Sequence, residues 1–390
     1  MNESLENIHP SLRELPHHKV FLTGATGLIG GQLLHDLLLL PQVEEVRCLV
    51  RPNDGRTGIE RLALKLKRAG GVKGKQLERA MTRVRAADGD VSCDLWGLDA
   101  AELAWIRNEC DLFIHCAASI SFTDGISNEA INVVGTRNML DVLRGARSIK
   151  RFVPFSTATL CGYVKDCLMA EDEGLSGNDH IIAYTRSKAT AEKMIRAAAA
   201  ELPPLLIIRP GAVVAYGSRD RKQARLFLWS LVAMAQLPYM RVRREGLVDI
   251  VTVDFVVKST LRLIARGDRL KHNCYHTTAG TRASVSCGDI YDIACSTSTR
   301  SELPKMVPPE EWNETHEQAI ADQNLSAVWD SLQVYIPFLE MNQVYDNTRL
   351  IEELGDDLPD LLKFTDYMNE MIATINPQLV TMAANEGFTT

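Results

Sequence analysis

Between Val20 and Leu34 the chain reads VFLTGATGLIGGQLL, which sets Gly24, Gly27 and Gly30 between a short apolar run and a helical pattern. Glycine is needed where the chain turns sharply, where backbone must approach a pyrophosphate, and where a helix packs close on a strand. A helix that begins there offers unpaired N–H groups and the positive end of its dipole to phosphates. A glycine triplet alone is a weak signal, and a ligand-free glycine-rich turn is the competing reading. Strand before and helix after is the context that favours a dinucleotide site. On that reading Gly24, Thr26, Gly27, Leu28, Ile29 and Gly30 are cofactor-binding.

The same alternation continues down the chain. Apolar runs at 19–23, 45–50, 83–87, 111–115, 151–155 and 205–209 predict strands, and the patterns at 29–39, 132–143 and 185–200 predict helices. Continuous apolar strands alternating with helices imply a parallel sheet covered on both faces. The fold class is therefore α/β, a Rossmann-type doubly wound parallel sheet. Residues 1–215 are expected to form the dinucleotide-binding domain, with 249–298 returning to it. Residues 216–248 and 299–390 are expected to form a smaller, mainly helical C-terminal substrate lobe.

With 46% hydrophobic and 24% charged residues, the 390-residue chain reads as one large soluble domain with an elaboration. A net charge of −7 gives no reason to expect nucleic-acid binding. Nine scattered cysteines with no CxxC pair read as small hydrophobes in a reducing compartment. No His, Cys, Asp or Glu cluster has metal-ligand spacing, so no metal is expected. The polar, acidic start MNESLENIHP is no secretory signal, and the longest apolar stretch, 33–40, is broken by His35 and Asp36. The expectation is a cytoplasmic protein without a membrane span.

The second predicted strand ends at Val50 and Arg51 follows. A carboxylate there would bind a ribose 2′-hydroxyl, whereas an arginine favours a 2′-phosphate, so NADPH is expected over NADH. A solvated surface arginine is the competing reading. After the third strand, Asp90 beside Val91 is placed to accept from the adenine amino group; an ordinary Asx turn competes.

Tyr184 and Lys188 open a long helical pattern four residues apart, on one face. A nearby ammonium favours a phenolate, which is expected to draw the tyrosine pKa toward neutrality so that Tyr184 can protonate a carbonyl oxygen. Lys188 has a second use, holding the nicotinamide ribose hydroxyls. An amphipathic tyrosine and a snorkelling lysine are the bland alternative. Against that alternative, Ser156 and Thr157 end a predicted strand at the carboxyl edge of the sheet, where ligands bind. His115-Cys116-Ala117-Ala118 ends another, with small residues that let a flat nicotinamide ring approach the backbone.

Glycine triplet, HCAA, FSTATL, the Tyr184/Lys188 pair and RPGAVVAYG together resemble the extended short-chain dehydrogenase/reductase family over about residues 17–300. The resemblance implies a catalytic set of Thr157, Tyr184 and Lys188 with Ser156 adjacent. It also implies a structural Asn132, and a loop of Pro210, Gly211 and Ala212 that holds the nicotinamide carboxamide. The insert GIERLALKLKRAGGVKGKQLERAMTRV, the stretch HCAASISF, the helix YTRSKATAEKMI and the segment LVDIVTVDFV resemble the fatty acyl-CoA reductase and carrier-protein thioester reductase branch. SRDRKQARLF lacks the Pro-Gly-Trp seen in many fatty acyl-CoA reductases, and the region after Ser301 resembles neither.

That branch implies NADPH-dependent reduction of an acyl thioester, carried on coenzyme A or on an acyl or peptidyl carrier protein, to an aldehyde; a second round would give the alcohol, and the sequence leaves open whether it occurs. Cys161, near the active-site strand, is expected to be packing rather than a nucleophile. The basic stretches 219–225 and 241–244 could meet the carrier or its phosphate, with a merely solvated basic face as the alternative. A nucleotide-sugar epimerase or dehydratase, a small-ketone reductase, and a non-catalytic NADP-binding protein are the alternative functions.

Overall fold

The computed structural model describes residues 9–51, 55–69, 74–171, 179–216, 230–296 and 303–373. Five parallel strands, β1 (Lys19–Thr23), β2 (Glu45–Val50), β3 (Val84–Asp88), β4 (Leu112–His115) and β5 (Arg151–Pro154), lie in the order β3-β2-β1-β4-β5. Parallel bridges Phe152–Leu205 and Phe155–Ile208 bring β7 (Ile207–Pro210) beside β5. β12 (Cys274–Thr277) then pairs with β7 in parallel. The chain winds one way from β1 through β2 to β3, then returns to place β4 on the other side of β1. That reversal opens a crevice at the carboxyl ends of β1 and β4, where doubly wound sheets bind ligands.

Side chains alternate across the sheet because successive residues of a strand point to opposite faces. Val20 and Leu22 of β1 and Leu112 and Ile114 of β4 pack under α1 (Leu28–Leu39), α2 (Gly58–Ala69) and the helix Val253–Arg266. Phe21 and Phe113 face the other way, against α4 (Ala100–Asn108), α6 (Gly135–Leu143), α7 (Ala183–Ala197) and the fully buried Trp96. Trp96 stacks on Phe21 and Phe113 with centroids 6.1 and 5.9 Å away.

The six predicted strands are present, shifted by at most two residues. The fourth starts at Leu112, and the Asp111 carboxylate just before it accepts from His18 N (2.9 Å) and Lys19 N (3.1 Å). The insert after β2 belongs to the helical layer: α2 lies across α1 at Gly31, where the Lys65 stem fills the room a side chain would need, and α3 (Gly74–Met81) adds Leu77 to the same core. The helix expected at 132–143 begins earlier, as the short α5 (Gly125–Asn128), then a π turn over Glu129–Val134 that leads into α6. Single π turns of this kind are frequent at functional sites.

Thr252 caps the helix Val253–Arg266 by accepting from Phe255 N at 3.2 Å. Outside this sheet the chain forms short paired strands, β6 (Cys167–Met169) with β15 (Gln343–Tyr345), β8 (Ala212–Val214) with β11 (Ile250–Thr252), β9 (Tyr239–Arg241) with β14 (Lys305–Val307), and β10 (Leu247–Val248) with β13 (Val285–Ser286). The helices Glu314–Asp322, Ser326–Gln333 and Ile336–Glu340 pack with them around Leu237, Met240, Trp329 and Ile336. Among the described residues no helix is long and apolar enough to cross a membrane.

Candidate active site

Every candidate on a strand end falls on one edge of the sheet. Gly24 follows β1, Arg51 follows β2, Asp90 follows β3, Ala117 and Ala118 follow β4, Ser156 and Thr157 follow β5, and Gly211 follows β7. Gly24 takes a φ of +73°, and a Cβ there would stand 2.6 Å from the Cys116 carbonyl carbon and 2.7 Å from Ala117 N. A Cβ on Gly30 would strike the Gly24 carbonyl oxygen. The turn is thus pressed against both the loop after β4 and the first turn of α1. Gly27 is the N-cap of α1 and no side chain caps it, so the first N–H groups of a 12-residue helix stay open toward the crevice. Thr26, Leu28 and Ile29 are half-buried around this opening. Such a cradle, closed to side chains and lined by N–H donors, fits the pyrophosphate of a dinucleotide.

Arg51 is exposed at the end of β2, and its carbonyl oxygen accepts from Arg61 Nη1 at 2.5 Å. Arg61, on α2, is a second cation at the place where one was expected. No local signal singles it out in the sequence, because it stands ten residues from Arg51 within an amphipathic helix. Asp90 forms an Asx turn, its Oδ1 accepting from Ser92 N (2.9 Å) and Ser92 Oγ (2.7 Å). Val91 is buried, with its side chain against Gly135.

Thr157 follows β5 as the N-cap of a short 3-10 turn, its Oγ1 2.9 Å from Thr159 Oγ1. The Thr157 hydroxyl lies beside the Tyr184 phenol, near enough to favour its ionised form. Lys188, one turn further along α7, is buried and donates from Nζ to the Phe155 carbonyl oxygen at 2.7 Å. Ala117, Ser156 and Lys188 share a small cavity with His115, Asn132 and Glu192.

The expected depression of the tyrosine pKa is not what the structure shows. Burial pushes the Tyr184 phenol above its ordinary value, and the Thr157 hydroxyl opposes this only in part. Burial also lowers Lys188 to about 8, against the pull of the Glu192 carboxylate. Its ammonium is directed at a backbone carbonyl, and desolvation dominates both groups. Burial and the Lys188 charge hold His115 neutral, with a pKa of about 3.

Asn132, on the π turn, ties the site together. Its Oδ1 accepts from Ser119 N at 2.8 Å, and its Nδ2 donates to Ser119 O and to Ser187 Oγ, both at 2.9 Å. The loop after β4 is thereby fixed to α7. On the far side, Gly211 lies so close to Asp249 that a Cβ would meet Oδ1. Asp249 itself is buried and accepts from Ala279 N (2.9 Å) and Gly280 N (3.0 Å), which anchors the Pro210–Gly211–Ala212 loop.

Cys161 is buried, donates to Gln343 Oε1 at 3.4 Å, and burial pushes its thiol up to about 12, as expected of packing rather than of a nucleophile. The stretch 219–225 lies outside the described residues. In 241–244 the expected basic face is largely neutralised, because Arg241 pairs with Glu340 (2.7 Å), Arg243 with Glu310 (3.0 Å) and Arg244 with Asp292. Among the described residues no group of three or more His, Cys, Asp or Glu side chains could hold a metal ion.

Comparison with known proteins agrees with this geometry. The family described as male sterility protein, an NAD-binding domain, matches residues 22–260. The nonribosomal peptide synthetase asaC of Aspergillus flavus is 28% identical over 270 residues, 65% of this chain and 25% of the relative. The aldehyde reductase lnbA of the same organism is 28% identical over 280 residues, 68% of this chain and 27% of the relative. This chain thus spans about a quarter of the length of either relative. The crystal structure of the terminal R domain from the myxalamid PKS-NRPS biosynthetic pathway shares the fold, with a TM-score of 0.71 at 22% identity, covering 96% of this chain and 92% of that one. The family match over residues 22–260, more than half of the chain, makes this chain a member of the male sterility protein family and an NAD(P)-dependent oxidoreductase of the extended short-chain dehydrogenase/reductase type.

Proposed function

We propose that the chain reduces an acyl thioester, held on the phosphopantetheine of a carrier protein, to an aldehyde with NADPH. The observation that carries this reading is the Thr157 hydroxyl beside the Tyr184 phenol at the sheet's carboxyl edge, with Lys188 one helical turn away. Two hydroxyls converging there suit one carbonyl oxygen. The names of the relatives, a nonribosomal peptide synthetase and an aldehyde reductase, support the substrate and the product.

In this reading residues 1–215 with 249–298 hold the cofactor, and 216–248 with 299–390 form the substrate lobe. NADPH supplies the hydride. The overall change is thioester, NADPH and a proton to aldehyde, thiol and NADP+. Thr157 and Tyr184 donate to the thioester oxygen and hold the negative charge that develops on it. Tyr184 passes its proton to that oxygen, and the resulting hemithioacetal expels the thiol. Its raised pKa keeps it protonated, and so able to donate, throughout the neutral range. Lys188 holds the ribose hydroxyls, and Pro210, Gly211 and Ala212 receive the carboxamide. Arg51 and Arg61 together favour a 2′-phosphate, which also disfavours an epimerase with tightly held NAD(H). A matched Thr157, Tyr184 and Lys188 would be of no use to a non-catalytic protein.

The test follows NADPH and, separately, NADH absorbance with a panel of acyl-coenzyme A and acyl-carrier-protein thioesters. NADPH oxidation with aldehyde release from the carrier is the expected result. Silence across the panel, from protein that binds NADPH, would move the reading to a ketone or nucleotide-sugar substrate.

A further inference from the structure

Aromatic residues make up only 6% of this chain, yet four of their rings meet at the candidate proton donor. Phe122, from the segment after β4, lies nearly parallel to the Tyr184 ring, with centroids 6.2 Å apart and planes 14° from parallel. Tyr335 and Phe338, at the start of and within the helix Ile336–Glu340, tilt against Phe122 at 5.0 and 5.3 Å. Phe122, Tyr335 and Phe338 are only half-buried. The segment that carries Phe122 also turns Ile120 and Ile126 outward, 66% and 85% exposed. Rings left half-open to water beside a reacting centre are apolar area available to a ligand.

We infer that Phe122, Tyr335 and Phe338 form the wall that receives the acyl group, and that the preferred substrate carries an aromatic ring on the acyl side of the thioester. This rests on the thioester reading above. A carbonyl held by the Tyr184 hydroxyl places its acyl substituent within a few bonds of that wall. The three rings already touch, so a substrate ring packs on their exposed edges and faces rather than between them. Aromatic pairs favour such edge and offset contacts, which add to the burial of apolar area. A short or polar acyl group would leave the rings wet.

The test uses the NADP-loaded protein and two non-reducible pantetheine thioethers, one phenylpropyl and one propyl, with binding measured by calorimetry. The phenylpropyl compound is expected to bind at least about tenfold more tightly, as burial of one ring predicts. Phe338→Ala should remove most of that ratio and Phe338→Leu, which keeps the helix packed, should keep part of it. The same ratio is then read from kcat/KM for phenylpropanoyl and propanoyl pantetheine thioesters. Equal binding of the two thioethers, or a Phe338→Ala ratio as large as that of the wild type, overturns the inference. If the ring preference appears in binding while no thioester is reduced, the wall stands and the thioester reading falls. If thioesters are reduced without preference for the ring, the wall falls and the reading stands.

Discussion

Glu192 and Arg209 form a two-pronged ion pair, Nε to Oε2 at 3.1 Å and Nη2 to Oε1 at 2.6 Å, with each side chain 1% exposed. Burial alone would raise the Glu192 pKa, but the Arg209 hydrogen bonds and charge outweigh it, so the carboxylate stays ionised. It sits one helical turn beyond Lys188 and is the group that supports the ammonium against desolvation. Glu192→Gln should therefore act twice. Leaving Arg209 buried without its counter-charge costs about 3–5 kcal/mol, read by chemical unfolding. Lys188 should fall further below its value of about 8, so the alkaline limb of the pH–rate profile should move to lower pH. A variant that is destabilised but keeps that limb would leave Glu192 with a structural role only.

Lys188 also sets a pH dependence of stability. Its folded pKa of about 8 lies below the ordinary 10.5, so the fold disfavours the ammonium. The penalty is fully present below pH 8 and is relieved as pH rises from 8 to 10.5, where the unfolded chain binds more protons than the native one. Over that window the wild type should gain on the order of 3 kcal/mol relative to Lys188→Met, which has no proton to lose. Urea unfolding of both proteins at pH 7 and pH 10 measures this, and parallel behaviour would mean that Lys188 is not held at a lowered pKa.

Tyr184→Phe removes the proton donor and leaves the ring packed on Phe122. Cofactor binding, followed by fluorescence titration, should persist, while turnover falls by about 10²–10⁴. Substantial residual activity would assign the proton to another group. Because burial keeps the wild-type phenol above its ordinary value, the alkaline limb should report Lys188 and not Tyr184.

Where the sequence was legible, one local signal decided the outcome. The strand runs were continuous and apolar because both faces of the sheet are covered, and the glycine turn announced itself through the close approach of Gly24 to Cys116 and Ala117. Tyr184 and Lys188 were readable from helical spacing. The pKa direction of Tyr184 was not, because it depends on burial and on Lys188 facing the Phe155 carbonyl. The Glu192–Arg209 pair joins a helix to a strand, and neither residue signals its partner locally. The paired strands outside the main sheet are two or three residues long, too short to show a period of two. Arg241, Arg243 and Arg244 looked like a basic surface because their acidic partners lie 48 to 99 residues away.

Arg51 and Arg61 should act together on the adenosine end of the cofactor. Loss of one charge-assisted contact to a phosphate removes about 1.5–3 kcal/mol, or about tenfold to a hundredfold in affinity. Arg51→Ala and Arg61→Ala should each weaken NADPH binding by that amount and leave NADH binding nearly unchanged, measured by direct titration. An equal loss for both cofactors would place the arginines in general folding of the β2 edge and not in recognition of a 2′-phosphate.

Asp249 should govern both stability and the Gly211 loop. Burial pushes its carboxyl up to about 7, against the two backbone N–H groups that favour the ionised form. The stability it contributes is complete below its unfolded value of 3.8 and is lost as pH rises through 7, because the native state then holds a proton that the unfolded chain has released. Asp249→Asn cannot titrate, so wild-type stability should decline relative to the variant between pH 4 and pH 7.5, by at most about 4 kcal/mol. A constant offset of about 1 kcal/mol should remain, because the amide accepts on one side only and leaves one of Ala279 N and Gly280 N without its bond. Since Gly211 rests against this carboxylate, the variant should also raise the KM for the nicotinamide cofactor more than it lowers kcat. A flat stability difference across that pH range would show that Asp249 is ionised throughout, and an unchanged KM would separate it from the cofactor loop.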